Sequence, residues 1–298
     1  MKRIFFRNVL LAALLSTAAP NIALAQQPDS IKQWKLGGDV SFSMSQIKLD
    51  NWAAGGKNSI TGTFMANGFA NYEKNKSSWA NSLFIGYGWN KQQDDNLTKT
   101  DDRLLLSSKY GYAAGKNWHY SALADFKTQM AIGYKDPPTN TIKVSEWLAP
   151  AYLLASLGMD YKPNDNFSLY ISPLTSKMTF VMNDSLSNAG AYGVEPNESF
   201  RAEYGAYIKS VYKKDNILKN LDFFTRLDLF SNLLNTPQNI DVDWEIRLNY
   251  RFTKYLTAVA ALNFLYDDDT KTVDENGKEG GAQLQTKQLL GFGINVKF

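Results

Sequence analysis

Residues 288–298, QLLGFGINVKF, decide the architecture. Leu290, Phe292, Ile294, Val296 and Phe298 recur at every second position, with Gly291, Gly293, Asn295 and Lys297 between them. Side chains alternate across an extended chain, so this is a strand with one wholly apolar face and one small, polar face. Such a strand suits a membrane wall, whose lipid side must be apolar while the enclosed side can be polar. It would equally suit a soluble β-sandwich, so the rest of the chain must discriminate.

Working outward, period-two alternation recurs in twelve segments, near 34–49, 58–72, 77–90, 102–114, 117–134, 147–162, 166–182, 198–212, 218–231, 241–252, 255–266 and 283–298. No convincing helix interrupts them. In the third, Trp79, Leu83, Ile85, Tyr87 and Trp89 share a face opposite Ser82, Gly86, Gly88 and Asn90. Trp79 and Trp89 lie ten residues apart. That is roughly 33 Å of strand, or about 23–27 Å of height once tilted, the separation of two aromatic girdles. The fifth places Trp118, Tyr120, Ala122, Ala124, Phe126, Met130, Ile132 and Tyr134 on one face, against His119, Ser121, Asp125, Lys127 and Gln129. In the tenth, Val242, Trp244, Ile246, Leu248, Tyr250 and Phe252 alternate with Asp243, Glu245, Arg247, Asn249 and Arg251. Trp79, Trp89, Trp118, Tyr134 and Phe298 are thus the expected lipid-interface aromatics. Ile294 is expected to meet lipid near mid-membrane. Faces this charged cannot enter a dry core, so water or paired charge must lie inside.

Connection lengths settle the choice. Links near 73–77, 114–117, 162–166, 213–217 and 252–255 are brief. Those around 91–101, 135–146, 183–197, 232–240 and 267–282 are longer, and the two classes alternate. An even-stranded barrel with both termini in the periplasm obeys that rule, and a sandwich has no reason to. The expected fold is an all-β, antiparallel, up-and-down transmembrane β-barrel of about twelve strands. Pro173 interrupts the seventh, where it removes a ladder donor and predicts a bulge.

The first 25 residues read as an export signal: Lys2, Arg3 and Arg7, an apolar segment at 9–19, and Ala23-Leu24-Ala25 as a cleavage site. The expected organisation is 1–25 cleaved signal peptide and 26–298 outer-membrane barrel, reached through the periplasm. Of 32 basic side chains the signal removes three, leaving 29 against 29 acidic ones. A neutral mature chain argues against nucleic acid, which favours a basic stripe. Outside the signal there is no run of eighteen apolar residues, hence no transmembrane helix. The absence of cysteine suits an oxidising compartment.

Five segments occur in order: 51–59 (NWAAGGKNS), 147–152 (WLAPAY), 172–177 (SPLTSK), 190–194 (GAYGV) and 241–245 (DVDWE). Together they resemble a Bacteroidota outer-membrane family catalogued as a domain of unknown function, number 3078 in that series. The resemblance implies location and fold and supplies no chemistry. The aromatic-terminated last strand also resembles the C-terminal strand of bacterial outer-membrane barrels, which implies outer-membrane lipid and the barrel-assembly machinery as partners.

The inward charges are the candidate lumen lining: Asp125, Lys127, Arg201, Glu203, Arg226, Asp228, Asp243, Glu245, Arg247 and Arg251. They can line a selective pore or pair into a network that fills it, and their spacing does not choose. An enzyme is disfavoured. His119, the single histidine, falls inward near the periplasmic end, expected beside Asp125, whereas hydrolysis at the outer rim needs it at the other end. Arginines beside Asp243 and Glu245 would keep both ionised, against general-acid work. The acidic run Asp267-Asp268-Asp269 with Asp274 and Glu275 matches no calcium-loop spacing, and the Gly-rich 53–57 lacks a phosphate-loop pattern. No cofactor or metal is implied. The expected function is a narrow passive channel for ions or small hydrophilic solutes. The alternatives are a non-conducting structural or assembly barrel and, further off, an outer-surface enzyme or binding module.

Overall fold

A computed structural model describes residues 33–49, 57–135, 139–269, 271–273 and 279–298. The segment expected to be an export signal, the 50–56 segment and Asp274 and Glu275 lie outside the described residues. Twelve antiparallel strands close into one barrel. They are β1 (Trp34–Ile47), β2 (Ser59–Lys74), β3 (Ser77–Gln92), β4 (Thr98–Ala113), β5 (Trp118–Thr128) and β6 (Ala151–Asn164). The second half comprises β7 (Phe167–Phe180), β8 (Phe200–Leu218), β9 (Leu221–Asn232), β10 (Ile240–Arg251), β11 (Leu256–Tyr266) and β12 (Gln285–Lys297). Every strand pairs with its neighbours in sequence, and β12 returns to β1, with Phe42 opposite Ile294 and Val40 opposite Val296. Gly38 and Phe298 complete the seam by exchanging two backbone hydrogen bonds of 3.0 Å. A side chain at Gly38 would collide with the Asn67 carbonyl and the Phe298 ring.

The connections sort by length. At one end lie 75–76, 114–117, 165–166, 219–220 and 252–255; at the other lie 93–97, 129–150, 181–199, 233–239 and 267–284. Asn75 and Asn220 take left-handed backbone (φ 54° and 63°) in two-residue turns, which explains asparagine there. The outer wall is apolar. Trp34, Trp79, Tyr110, Tyr112, Trp118 and Tyr120 are exposed around the short-turn end, and Trp34 packs against both Tyr72 and Trp79. Trp89 marks the opposite rim, its indole lying where a side chain on Gly62 would have to go. The lumen side carries the charges, so facing follows the alternation read from sequence.

Four expectations need correction. The fifth strand stops at Thr128, because Met130 and Ala131 donate their amides, at 2.8 Å each, to the Asp102 carboxylate. Tyr134 consequently sits in a two-residue ribbon against Lys143–Ser145 and is not part of the barrel wall. The eighth strand continues to Leu218 through a register irregularity, which moves the turn from 213–217 to 219–220. A short helix, Asp184–Asn188, does form in a long loop, capped by the Asn183 side chain accepting from the Leu186 amide at 3.0 Å. Ile294 is not midway along its strand: it pairs with Leu256, the first residue of β11, and Leu290 occupies the centre of β12. The bulge expected at Pro173 is present. Register shifts on both sides of it, and a Cβ on the facing Gly158 would come within 2.1 Å of the Ile171 carbonyl.

Leu290 is 86% exposed on the outer wall at strand centre, and Ile294 is 59% exposed near the short-turn rim. Leu290→Arg is therefore expected to cost about 2–4 kcal/mol and Ile294→Arg about 0–1 kcal/mol of folding free energy. Denaturant unfolding in lipid vesicles measures both, and equal costs would refute this depth assignment.

Candidate functional site

The pleat of β5 and β7–β10 carries the charged residues into the barrel. All ten sequence-predicted lining residues lie on that inner face, and each has a charged partner. Asp125 pairs with Lys209 at 2.5 Å and Lys127 with Asp243 at 3.0 Å. Arg226 meets Asp228 at 2.9 Å, Asp243 at 3.5 Å and Glu245 at 3.7 Å. Arg247 holds Glu245 at 3.0 Å, and Arg201 reaches Glu203 at 3.3 Å and Asp269 at 2.7 Å. Arg251 pairs with Asp222 and also donates to Asn216 at 2.6 Å. Tyr207 donates to Asp228 at 2.6 Å.

The pairs that matter most join strands that are not neighbours. Lys127 on β5 and Asp243 on β10 sit five staves apart in a ring of twelve. Strands about 4.8 Å apart and tilted by roughly 40° would make a circular wall about 24 Å across. An extended lysine and aspartate together bridge Cα atoms on the order of 13 Å apart. The wall is therefore pinched at this level. A second chord carries Arg247 from β10 to the Phe84 ring on β3, 5.7 Å from its centroid, where Arg103 lies at 4.9 Å. Further chords run from Lys287 on β12 to Asp101 on β4 (2.5 Å) and from Lys297 on β12 to Asp222 on β9 (3.1 Å).

These chords leave two unequal sides. Between β5 and β10 the interior is filled: Leu123, Tyr170, Tyr207 and Phe230 form a buried cluster, and Ser156, Glu203 and Glu245 are buried with it. Across the partition the inner faces of β12, β1 and β2 present Gly291, Gly293, Ser41, Ser43, Thr61 and Thr63, none of them buried. These hydroxyls and glycines share that side with Asp39, Met65, Asn67, Leu289 and Asn295, and the Lys287–Asp101 chord runs across it.

Described parts of the long loops pack together at the far end. Ala149, Val181, Leu186 and Val194 make a small apolar core, against which Ala191 and Tyr192 pack. Burial pushes the Tyr192 phenol up to about 12, and its hydroxyl donates to the Val144 carbonyl. Glu146 is held below the usual carboxylate range by hydrogen bonds from Lys143 (2.8 Å) and then Asn183 (2.6 Å). Lys177 binds Asp241, Asp267 and Glu203 at 2.6, 3.3 and 3.6 Å, while Arg201 also donates to the Gly193 carbonyl at 3.1 Å. The acidic run thus turns Asp267 and Asp269 toward internal cations. Among the described residues no cluster of three or more acidic, histidine or cysteine side chains is arranged to hold a metal.

His119 faces inward at the short-turn end, but the carboxylate opposite it in register is Asp160 and not Asp125. Sequence reasoning missed Lys177, Lys287, Asp101 and the Lys109–Asp160 pair (2.8 Å). Their alternation was a usable signal on β4, where Asp101, Arg103 and Lys109 share a face. Phe84 carried none, since an aromatic on the polar face looks like an irregularity.

Residues 44–134 match the model of a family described as protein of unknown function (DUF3078). No curated protein matches the sequence. Among solved structures the chain is similar to the COG4313 outer membrane channel from Pseudomonas putida F1, with 11% identity and a TM-score of 0.41 over 91% of this chain and 100% of that one. It is similar also to the translocator domain of the autotransporter NalP from Neisseria meningitidis (8% identity, TM-score 0.37, 91% and 90% covered). An active-site mutant of outer membrane phospholipase A from Escherichia coli gives 10% identity and a TM-score of 0.34, with 91% and 93% covered. Likeness at this level transfers no activity.

Removing one member of a half-buried pair strands the other charge. Asp125→Ala is expected to cost about 1–3 kcal/mol by leaving Lys209 without its carboxylate, and Asp125→Leu combined with Lys209→Met to recover most of that loss. Equilibrium unfolding of the single and double variants checks this, and no recovery in the double variant would contradict it.

Proposed function

We propose that the protein is an outer-membrane β-barrel whose lumen is a narrow passive channel for ions or small hydrophilic solutes. The observation that carries this reading is the unfilled inner face of β12, β1 and β2. Its glycines, serines and threonines are not buried, whereas the inner face of β5–β10 is packed. Hydroxyls and backbone can replace part of a solute's hydration without binding it tightly. The chords bound the route and set its width. In this reading the short turns face the periplasm, and the apolar face of β12 is what the assembly machinery engages. In this reading the protein is not an enzyme, which is supported by His119 lying at the short-turn end of the lumen, away from the long loops.

The chords themselves favour a second reading, a closed barrel serving a structural role, because Lys127–Asp243 and Lys287–Asp101 cross the lumen. Planar-bilayer recording of the folded protein separates the two. Small, stable conductance steps are expected, reduced by Ser43→Trp on the open side and enlarged by Lys127→Ala at the pinch. A folded barrel that shows no steps, with or without Lys127→Ala, would overturn the channel and leave the structural reading.

A further inference from the structure

The short-turn end carries an unbalanced charge. Lys74 and Lys76 flank the β2–β3 turn, Lys116 lies in the β4–β5 turn, and Lys254 lies in the β10–β11 turn. Lys219 and the Lys213–Lys214 pair surround the β8–β9 turn. All seven are exposed, and none forms an ion pair with a described carboxylate. The exposed acids at this end are three: Glu73, Asp165 and Asp215. The remaining turn contributes Lys162, which is already held by Asp160 at 3.3 Å. The lysines and arginines of the charged inner face described above are paired with carboxylates, so seven lysines without an ion pair gathered at the turns of one end stand out.

Their neighbours identify the setting. Lys74 follows Tyr72, which stacks with Trp34 and thence Trp79. Lys116 precedes Trp118, which packs on Tyr161. Lys214 stands opposite Phe223, on which Tyr212 packs, while Lys213 stands on the lumen side opposite Phe224, and the Lys254 ammonium lies 5.2 Å from the centre of the Tyr255 ring. Lys74, Lys116, Lys214 and Lys254 are therefore set just beyond the aromatic belt, at the depth of lipid headgroups. The charge also occupies four of the five turns, so it encircles the barrel. A protein partner would need one sector, whereas a lipid leaflet touches every side.

We propose that this collar binds anionic, phosphate-bearing lipid headgroups in the leaflet at the short-turn end, selecting them over zwitterionic ones. Lysine ammoniums supply point charges for a phosphate, and several near one surface act together within a Debye length. The proposal rests on the reading that the barrel spans a bilayer.

The test uses Trp34, Trp79 and Trp118, which lie in the same belt. The full mature chain is folded into vesicles of mixed phosphatidylglycerol and phosphatidylcholine, with either lipid brominated in turn, and tryptophan quenching is measured. Brominated phosphatidylglycerol is expected to quench several-fold above its mole fraction at low salt. The excess should disappear at high salt and in a variant carrying Lys74→Gln, Lys76→Gln, Lys116→Gln, Lys213→Gln, Lys214→Gln and Lys219→Gln. Equal quenching by the two lipids, or an excess that survives in that variant, would overturn the collar. Quenching by neither lipid would sink the membrane-spanning reading instead. Heat-modifiable migration of the variant on gels shows that it has folded, and because these lysines are exposed the fold is expected to survive.

Discussion

A closed ring of strands forces every second side chain into the interior, and here many of those side chains are charged. The condition on which the rest depends is that each such charge find a partner without leaving the ring. Neighbouring staves supply some, as in Arg226 with Asp228 or Arg247 with Glu245. The remainder are met by reaching across, and the contact between Lys127 and Asp243 is the clearest case. Both side chains keep part of their exposure, so the ions lose only part of their hydration and gain a direct contact in exchange. The pinch in the wall is the geometric consequence.

That compromise makes the interior asymmetric. Charges and aromatic rings fill the β5–β10 side, where Tyr207 closes the space between Asp228 and Tyr170. On the other side the small inner residues of β12, β1 and β2, such as Gly291, Ser43 and Thr63, are not buried, and the Phe84 ring stands at the boundary between Arg103 and Arg247. The loop cluster around Val181 and Leu186 sits on the same end as Lys177 and its three carboxylates, so the outer mouth is built with the same pairing logic as the lumen.

The two rims solve different problems. At the long-loop end, carboxylates are turned inward onto Lys177 and Arg201. At the short-turn end, lysines are left unpaired beside aromatic rings, where an anionic surface can answer them. Barrel strands cross a membrane in either direction with the same hydrogen bonding, so asymmetry between the faces must come from what the turns carry.

Strand positions, facing and the division of loops were legible in the sequence because each rests on a local rule. Alternation fixes which side of the pleat a residue takes, and an even strand count returns both ends to one rim. The chain therefore declared Trp79, Trp118 and Phe298 outward and all ten charged candidates inward. Local rules fail where a distant group intervenes. Asp102 captures two amides and ends β5 early, which takes Tyr134 off the wall. An irregularity carries β8 past 213–217, and Asn183 caps a helix that no periodicity announced. Pairing partners were beyond reach for a deeper reason. Lys127 and Asp243 are 116 residues apart, and their meeting depends on ring closure and on how far the wall bends. The sequence by itself determined the barrel and what faces into it. Only the tertiary structure decided which charges meet, because a chord across a closed ring is a property of the whole circumference.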